Sequence, residues 1–153
     1  MYQLFKDFEK FEQELGTYII YIGDSIILTP HYVTFPYSLY PIQDEVANCF
    51  KSGYYCADPN PTYGIKDGRE IINENIKQKC VYNYLNAINA KTDKKDHLMY
   101  IKFMNLFYSK CMSSTSFRFD GNCHNEVLRE LGIPEDNINK CYLDSFINPD
   151  STL

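Results

Sequence analysis

Apolar side chains spaced three and four residues apart predict an amphipathic helix at the start of the chain. The stripe consists of Leu4, Phe8, Phe11, Leu15, Tyr18 and Ile22. The end of this run, TYIIYI at 17–22, is also rich in β-branched and aromatic residues, as a strand after Gly16 would be. The unbroken stripe, together with Gly23 as a residue that commonly ends a helix, favours one long helix over that strand.

The next run, SIILTPHYVTF at 25–35, predicts a buried strand because it is dominated by apolar and β-branched residues. Pro30 lacks an N–H group and would break or bulge the middle of such a strand. Within this run, TPHYVTF at 29–35 is the strand that we expect with most reason. A tyrosine-rich connection, YSLY, follows between Pro36 and Pro41.

After Asp44 the pattern changes to helices joined by turns. QDEVANCF predicts a short helix, and ADPNPTYGIKDG predicts a loop because Pro, Gly, Asn and Asp are dense there. Asp67 followed by Glu70 resembles a capping box at the start of a helix over 68–86. One face of that helix carries Ile72, Ile76, Cys80 and Tyr84.

Three more helices follow a solvated linker, NAKTDKKD. HLMYIKFMNLFYSKC, which Asp96 can cap, is apolar on most sides and should lie centrally among the helices. The MSSTSFRFDG loop leads to NCHNEVLRELG, a helix closed by Gly132. Pro134 suits the first turn of a last helix, whose stripe is Ile138, Cys141, Tyr142 and Ser145. The predicted fold class is therefore mainly α (α+β).

Size and charge limit the classes of protein that fit. A chain of 153 residues with 44% hydrophobic residues can form one domain with a substantial core. The net charge of −5 argues against a nucleic-acid partner, and the chain contains no apolar run long enough to span a membrane. The first residues, MYQLFKDFEK, do not form a signal peptide. We therefore expect a natural start upstream of Met1 or a longer parent protein.

The cysteines are Cys49, Cys56, Cys80, Cys111, Cys123 and Cys141. An even number, without the pairwise spacing of a metal site, predicts three disulfides and an oxidising compartment. Buried thiols in a reducing compartment are the alternative. The predicted helix ends favour bridges Cys111–Cys123, Cys80–Cys141 and Cys49–Cys56, and the other pairings stay open.

The sequence predicts no catalytic, cofactor-binding or metal-binding residue. Its histidines are His31, His97 and His124. Cys123 and His124 are adjacent, but neighbouring helical residues point about 100° apart, and no second ligand pair supports a zinc site or a nucleophile–base couple. No phosphate-binding loop, dinucleotide fingerprint or serine hydrolase motif is present. The 14 tyrosines fit either an interaction surface or ordinary packing.

A family resemblance explains the first cysteine pair. The stretch CFKSGYYCADPNPTYGIKDGREIINENIKQKCVYNYLN resembles the central luminal region of plant-type vacuolar sorting receptors. That region has a C-x3-G-x-Y-C-A turn, a Pro/Asp loop, a "DG" helix start and a helix carrying Q-x-C. The resemblance continues through TPHYVTF, the helix ending at Cys111, LRELGI and the NKC at 139–141, and covers about residues 4–146 with all six cysteines in order.

The resemblance implies a partial thioredoxin-like element, one helix and one strand, followed by a disulfide-stapled helical insertion. The corresponding boundaries are 1–43 for the thioredoxin-like part, 44–147 for the cysteine-rich insertion and 148–153 for a tail. It also supports the long N-terminal helix. In the family this region lies between a protease-associated domain and EGF-like repeats of a membrane-anchored receptor, which carries soluble hydrolases and storage proteins to the vacuole.

This sequence departs from the family pattern in several places. It lacks the first thioredoxin strand with its spaced cysteine pair and the later Pro-containing strand. PYSLYP stands where the family has additional cysteines. Because a lone strand with unpaired edges is unstable or sticky, we expect neighbouring domains or partners to supply the missing strands.

The resemblance implies a non-enzymatic module in the lumen of the secretory pathway (Golgi, prevacuolar compartment or vacuole) or outside the cell. Its expected partners are protein or peptide cargo, or neighbouring domains that complete the sheet. No cofactor, no nucleic acid and no direct membrane insertion by this segment are expected. One alternative is a scaffold component derived from such a receptor. Another is a thioredoxin-like oxidoreductase, which the absence of a C-x-x-C motif disfavours.

Overall fold

A computed structural model describes residues 10, 14, 18, 28–39, 44–59, 61, 64–92, 98–112, 117–119 and 121–147. The secondary-structure elements with complete bounds are α1 (Glu45–Asn48), β1 (Cys49–Phe50), β2 (Tyr55–Cys56), α2 (Gly68–Thr92), α3 (Leu98–Cys111), α4 (Asn122–Glu130) and α5 (Glu135–Ile147). The mainly helical fold class is confirmed. No helix among these residues is both long and apolar enough to cross a bilayer.

The predicted N-terminal helix is described at three positions only. Lys10, Glu14 and Tyr18 are helical, and the Lys10 ammonium lies 3.8 Å from the Glu14 carboxylate one turn away. Tyr18 falls within the run for which a strand was the alternative, and at that position the chain is helical. The rest of the stripe over 3–22 lies outside the described residues. The division of the chain at residues 43 and 147 stays a prediction.

The helix predicted over 68–86 runs on to Thr92, so the first half of the expected linker NAKTDKKD is helical. No Gly or Pro interrupts these residues, and Lys91 in the last turn complements the negative end of the helix dipole. Burial extends beyond the predicted face, because Val81, Tyr82 and Leu85 are buried as well as the stripe that starts at Ile72. This helix therefore packs against neighbours on more than one side.

The helix α3 supplies the largest fully buried side chains of the core. Phe103 and Phe107 are inaccessible to solvent, and their rings lie 6.0 Å apart. They contact a core cluster that includes Val127 and Leu128 from α4. The prediction that this strongly apolar helix lies centrally agrees with its burial.

Three disulfides connect these elements. Cys80 of α2 is bonded to Cys141 of α5, and Cys111 at the end of α3 is bonded to Cys123 at the start of α4. The Cα atoms lie 5.8 Å apart in both pairs. The third bridge joins Cys49 and Cys56, which face each other in the β1–β2 ribbon. These are the pairs that the predicted helix ends favour.

The strand predicted over 25–35 is wrong for the residues that the structure describes. Residues 28–34, which we call the extended segment, belong to no strand, and Phe35 forms only an isolated bridge with Cys56. Exposure nevertheless alternates from one residue to the next along 28–34, as in an extended chain with one face covered. Helices rather than neighbouring strands cover that face. The β1–β2 ribbon was not predicted, and residues 25–27 lie outside the description.

A buried asparagine joins the ribbon to the start of α2. The Asn48 side chain accepts a 2.6 Å hydrogen bond from the Gly68 backbone N–H, and its own backbone carbonyl accepts one from the Ala57 N–H. The backbone at Gly68 is so close to this layer that an added Cβ would lie 1.9 Å from the Ala57 carbonyl oxygen. Glycine is therefore required here by space.

We expect Gly68→Ala to lower the free energy of unfolding by about 3 kcal/mol, because backbone rather than a flexible side chain blocks the new methyl group. Gly132→Ala is the matched control: Gly132 has a φ of 66° but open space around its Cα. The left-handed backbone should cost the control only about 1 kcal/mol. Urea unfolding with the disulfides intact measures the free energy of unfolding of both variants. An equal loss in Gly68→Ala and Gly132→Ala would contradict the steric explanation.

Candidate functional site

A cavity of about 360 Å³ lies beneath the extended segment. Its walls come from residues 28–32 of that segment, from α2 and α3, and from Phe117 and Phe119. Most of the lining is apolar, with Ile71, Met104 and Phe119 as examples, whereas Glu74 and Gln78 of α2 bring polar groups to the wall. A largely apolar cavity with a few polar groups is typical of ligand-binding sites.

Side chains from two helices hold the extended segment over this cavity. The Tyr82 hydroxyl of α2 donates a 2.6 Å hydrogen bond to the Leu28 carbonyl, and the Lys79 ammonium lies 3.5 Å from the Pro30 carbonyl. From α3, the Tyr100 hydroxyl lies 2.8 Å from the hydroxyl of Tyr32. The segment is thereby fixed to both helices without a backbone ladder.

Two buried polar residues on different helices meet at this site. Nδ1 of His124, in α4, lies 2.8 Å from Oε1 of Glu74, in α2, and these side chains are only 1% and 2% exposed. The Gln78 amide, one turn further along α2, donates to the same Oε1 at 3.2 Å. The imidazole is held between aromatic rings, at 5.5 Å from Phe103 and 5.9 Å from Phe107.

The hydrogen bonds of this pair are unevenly distributed. Oε1 of Glu74 has both of the contacts just described, whereas Oε2 of Glu74 and Nε2 of His124 are buried and have no hydrogen-bond partner among the residues that the structure describes. Such atoms are rare because a buried polar group without a partner keeps its full desolvation cost. The carboxylate therefore has an unused acceptor.

The Tyr32 hydroxyl, which also lines this cavity, has a shifted pKa. Its pKa is raised well above the usual range, chiefly by burial and further by Tyr100, Tyr108 and Glu74. Tyr32 therefore remains a neutral hydroxyl at every physiological pH. Around the cavity lie the hydroxyls of Tyr32 and Tyr100, which can donate and accept hydrogen bonds, and the Glu74 carboxylate, which accepts them.

A second cavity of about 430 Å³ also lies against the extended segment. Pro30, His31 and Tyr32 line both cavities. Polar side chains are more frequent here, among them Asn75, Lys79, Asn83 and Ser145, and the Cys80–Cys141 disulfide forms part of the wall. The extended segment thus lines both an apolar cavity and a more polar one.

Sequence reasoning considered His124 but missed its partner. Cys123, its sequence neighbour, is in a disulfide with Cys111, while His124 contacts Glu74 from fifty residues earlier. Glu74 lies among polar residues of α2 and carries no local signal of burial. His31 lines both cavities, and His97 lies outside the described residues. Within the part of the chain that the structure describes, no three His, Cys, Asp or Glu residues cluster as metal ligands would.

A family model described as the vacuolar sorting receptor thioredoxin-like domain matches residues 2–152. The chain belongs to this family. The resemblance read from the cysteine loop and the helices is therefore confirmed. No solved structure matches the chain.

Individual relatives give the same result. Vacuolar-sorting receptor 6 of Arabidopsis thaliana is 30% identical over 130 residues, which are 82% of this chain and 20% of the relative. Vacuolar-sorting receptor 1 of Pisum sativum is 27% identical over 146 residues, 93% of this chain and 22% of the relative. The chain therefore spans about a fifth of the length of these relatives. Family membership and three disulfides together indicate a receptor-like module of an oxidising compartment.

We expect a double-mutant cycle to show strong coupling between Glu74 and His124. Glu74→Leu or His124→Leu alone should lower the free energy of unfolding by about 3–5 kcal/mol, because each leaves a buried polar partner behind. The double variant should lose about 2 kcal/mol less than the sum of the single losses. The exposed Lys140–Asp144 pair is the control, with an expected coupling of about 0.3–0.5 kcal/mol. The coupling energies are measured by urea unfolding. Equal coupling in the two pairs would contradict the prediction that burial strengthens the dependence of Glu74 and His124 on each other.

Proposed function

We propose that this chain is a non-catalytic luminal module of a vacuolar sorting receptor-like protein, and that it binds an extended segment of another protein along residues 31–34. The observation that carries the proposal is the backbone of these residues. Between His31 and Thr34, no N–H or C=O group has a hydrogen bond within the described part of the chain. At Phe35, by contrast, the N–H and C=O are both hydrogen-bonded to Cys56 in an isolated bridge.

An added peptide strand would satisfy these groups. Strand addition gains its affinity from backbone hydrogen bonds and its specificity from pockets that accept alternate side chains. The extended segment is fixed in place by its contacts with α2 and α3, so its backbone is already ordered before a partner arrives. Val33 is 87% exposed and so faces solvent. The two cavities beside the segment could each receive a side chain of the partner.

The cysteines support binding without turnover. All six cysteines of the sequence are in disulfides, so none is a free thiol. Cys80 is 2% exposed, and Cys111 and Cys123 are fully buried, which keeps these sulfurs from attack by an external thiolate. A redox enzyme needs an accessible, activated thiol, usually in a C-x-x-C motif, and this sequence has none.

A scaffold role is the second candidate. The chain spans about a fifth of its relatives, so another part of a longer protein could occupy the same edge permanently. Both functions use the same backbone groups and differ in what binds them. Competition by a free peptide separates the two, because a permanently covered edge would not admit it in the full-length protein.

We expect Val33→Pro to weaken peptide binding at least about tenfold, since proline removes one backbone donor and its ring disturbs the ladder. The probe is the tightest binder selected with this chain from a displayed library of ten-residue peptides, measured by fluorescence polarisation. Val33→Ala keeps the N–H group and should bind as the unaltered chain does. Equal binding by the two variants, or failure to select any peptide, would count against the proposal.

We expect no catalysis of insulin reduction by dithiothreitol beyond the rate without protein. The physical reason is that the disulfides are buried or held within the fold and no thiolate is available to start exchange. Thioredoxin serves as the active control in the turbidity assay. A rate above background that disappears in the double variant Cys49→Ala/Cys56→Ala would instead establish an oxidoreductase.

A further inference from the structure

The two cavities beside the extended segment differ in the charges of their walls. The cavity of about 430 Å³, which we call the polar cavity, has Lys79 of α2 in its wall and, among the described residues, no Asp or Glu. The apolar cavity of about 360 Å³ has Glu74 in its wall and no described Lys or Arg. An acidic group therefore suits the polar cavity and not the apolar one.

The ammonium group of Lys79 lies beside the wall of the polar cavity. Its nitrogen is 3.5 Å from the carbonyl oxygen of Pro30, which is itself a wall residue, and 4.7 Å from the centre of the Tyr82 ring. An ammonium has three N–H donors, and the Pro30 carbonyl occupies at most one of them. No carboxylate in the described part of the chain forms an ion pair with Lys79. The cation therefore has donors left for an acceptor that enters the cavity.

The polar cavity can be reached from solvent. His31 and Asn83 belong to its wall and are exposed, and Lys79 is half-buried rather than fully enclosed. Asp144, next in sequence to a wall residue of α5, is already paired with Lys140, whose nitrogen lies 2.7 Å away. A carboxylate from outside can thus enter, and partial burial strengthens its attraction to the ammonium relative to the attraction in open water.

We propose that the polar cavity binds the side-chain carboxylate of an Asp or Glu in the partner strand, with Lys79 as the specificity-determining residue. The proposal rests on the proposed function, because the partner strand is the one that lies along residues 31–34. All of these residues except Val33 line the polar cavity. A strand paired with them would therefore bring one of its own side chains to this cavity.

The chemistry of the wall favours a carboxylate over a neutral side chain. A hydrogen bond from the Lys79 ammonium to a carboxylate is charge-assisted and about twice as strong as a neutral one. The amide groups of Asn75 and Asn83, also in the wall, are donors suited to the second carboxylate oxygen. A glutamine at the same place would keep the shape and lose the attraction between charges, and a lysine would be repelled.

A purely structural role for Lys79 is the competing explanation. If Lys79 only holds the Pro30 carbonyl, its replacement loosens the extended segment and weakens every partner peptide by a similar factor. If Lys79 binds a carboxylate, its replacement changes which peptide binds most tightly. The test therefore compares preferences among peptides as well as affinities.

The probes are variants of the peptide selected from the displayed library, amidated at the C-terminus so that only side chains carry carboxylates. Glu, Gln and Lys are placed in turn at each position, and binding is measured by fluorescence polarisation. At one position we expect Glu to bind at least about fivefold more tightly than Gln and at least about tenfold more tightly than Lys. Equal binding of the Glu and Gln peptides at every position overturns this proposal and leaves the proposed function standing. Absence of any peptide binding overturns both.

Reversal of the charge on Lys79 then locates the site. In Lys79→Glu the Lys peptide should bind more tightly than the Glu peptide, and in Lys79→Gln, the milder change, the Glu and Gln peptides should bind equally. Lys91→Glu alters the net charge by the same amount at an exposed position in the last turn of α2, and should leave the order of the peptides unchanged. Weakening of all three peptides by one common factor in the Lys79 variants, or a reversed order in Lys91→Glu, contradicts the assignment.

Discussion

Two disulfide bonds set how the long helices can pack, and the remaining contacts operate within that limit. Cys80–Cys141 holds α2 against α5, and Cys111–Cys123 holds α3 against α4. The result is two covalently joined pairs of helices. Closing chain loops in this way removes conformations from the unfolded chain, which stabilises the fold by about 2–4 kcal/mol per bridge in the chain-entropy view.

Non-covalent contacts must then hold one pair of helices against the other, and the candidate site lies where they meet. Glu74 of the first pair contacts His124 of the second, and the Tyr82 and Tyr100 rings, one from each pair, lie 5.3 Å apart. The extended segment is bonded to both pairs at once. A buried polar contact is a weak source of net stability, but it penalises any packing that leaves either partner alone. The same junction contains the apolar cavity.

Much of this architecture could be predicted from local patterns. Apolar spacing located α2 to α5, and the predicted ends of those helices favoured the cysteine pairs that form the interhelical disulfides. The extended segment was misassigned because apolar and β-branched residues suit an extended chain whether it lies on a sheet or on helices, and composition does not identify which of the two covers it. The last residues of α2, up to Thr92, were predicted to be a linker because they are polar. Polar composition alone, however, does not end a helix.

The Glu74–His124 contact could not have been found from sequence. Its partners are fifty residues apart, and neither stands in an unusual local context. Family resemblance supplied the compartment and the receptor class, which no local pattern contains. It did not supply the cavity, which depends on how two helices and a non-helical segment fit together.

The hydrogen bonds that attach the extended segment to α2 make some positions more tolerant of substitution than others. Tyr82 and Lys79 of α2 bond to the carbonyl oxygens of Leu28 and Pro30, which every amino acid would provide. Residues 28 and 30 can therefore change identity over evolutionary time without losing these two hydrogen bonds, as long as the replacement packs. The helix has no such freedom, because a tyrosine hydroxyl and a lysine ammonium cannot be replaced by backbone. Variation among receptors of this kind should thus be easier on the extended segment than on the helix that supports it.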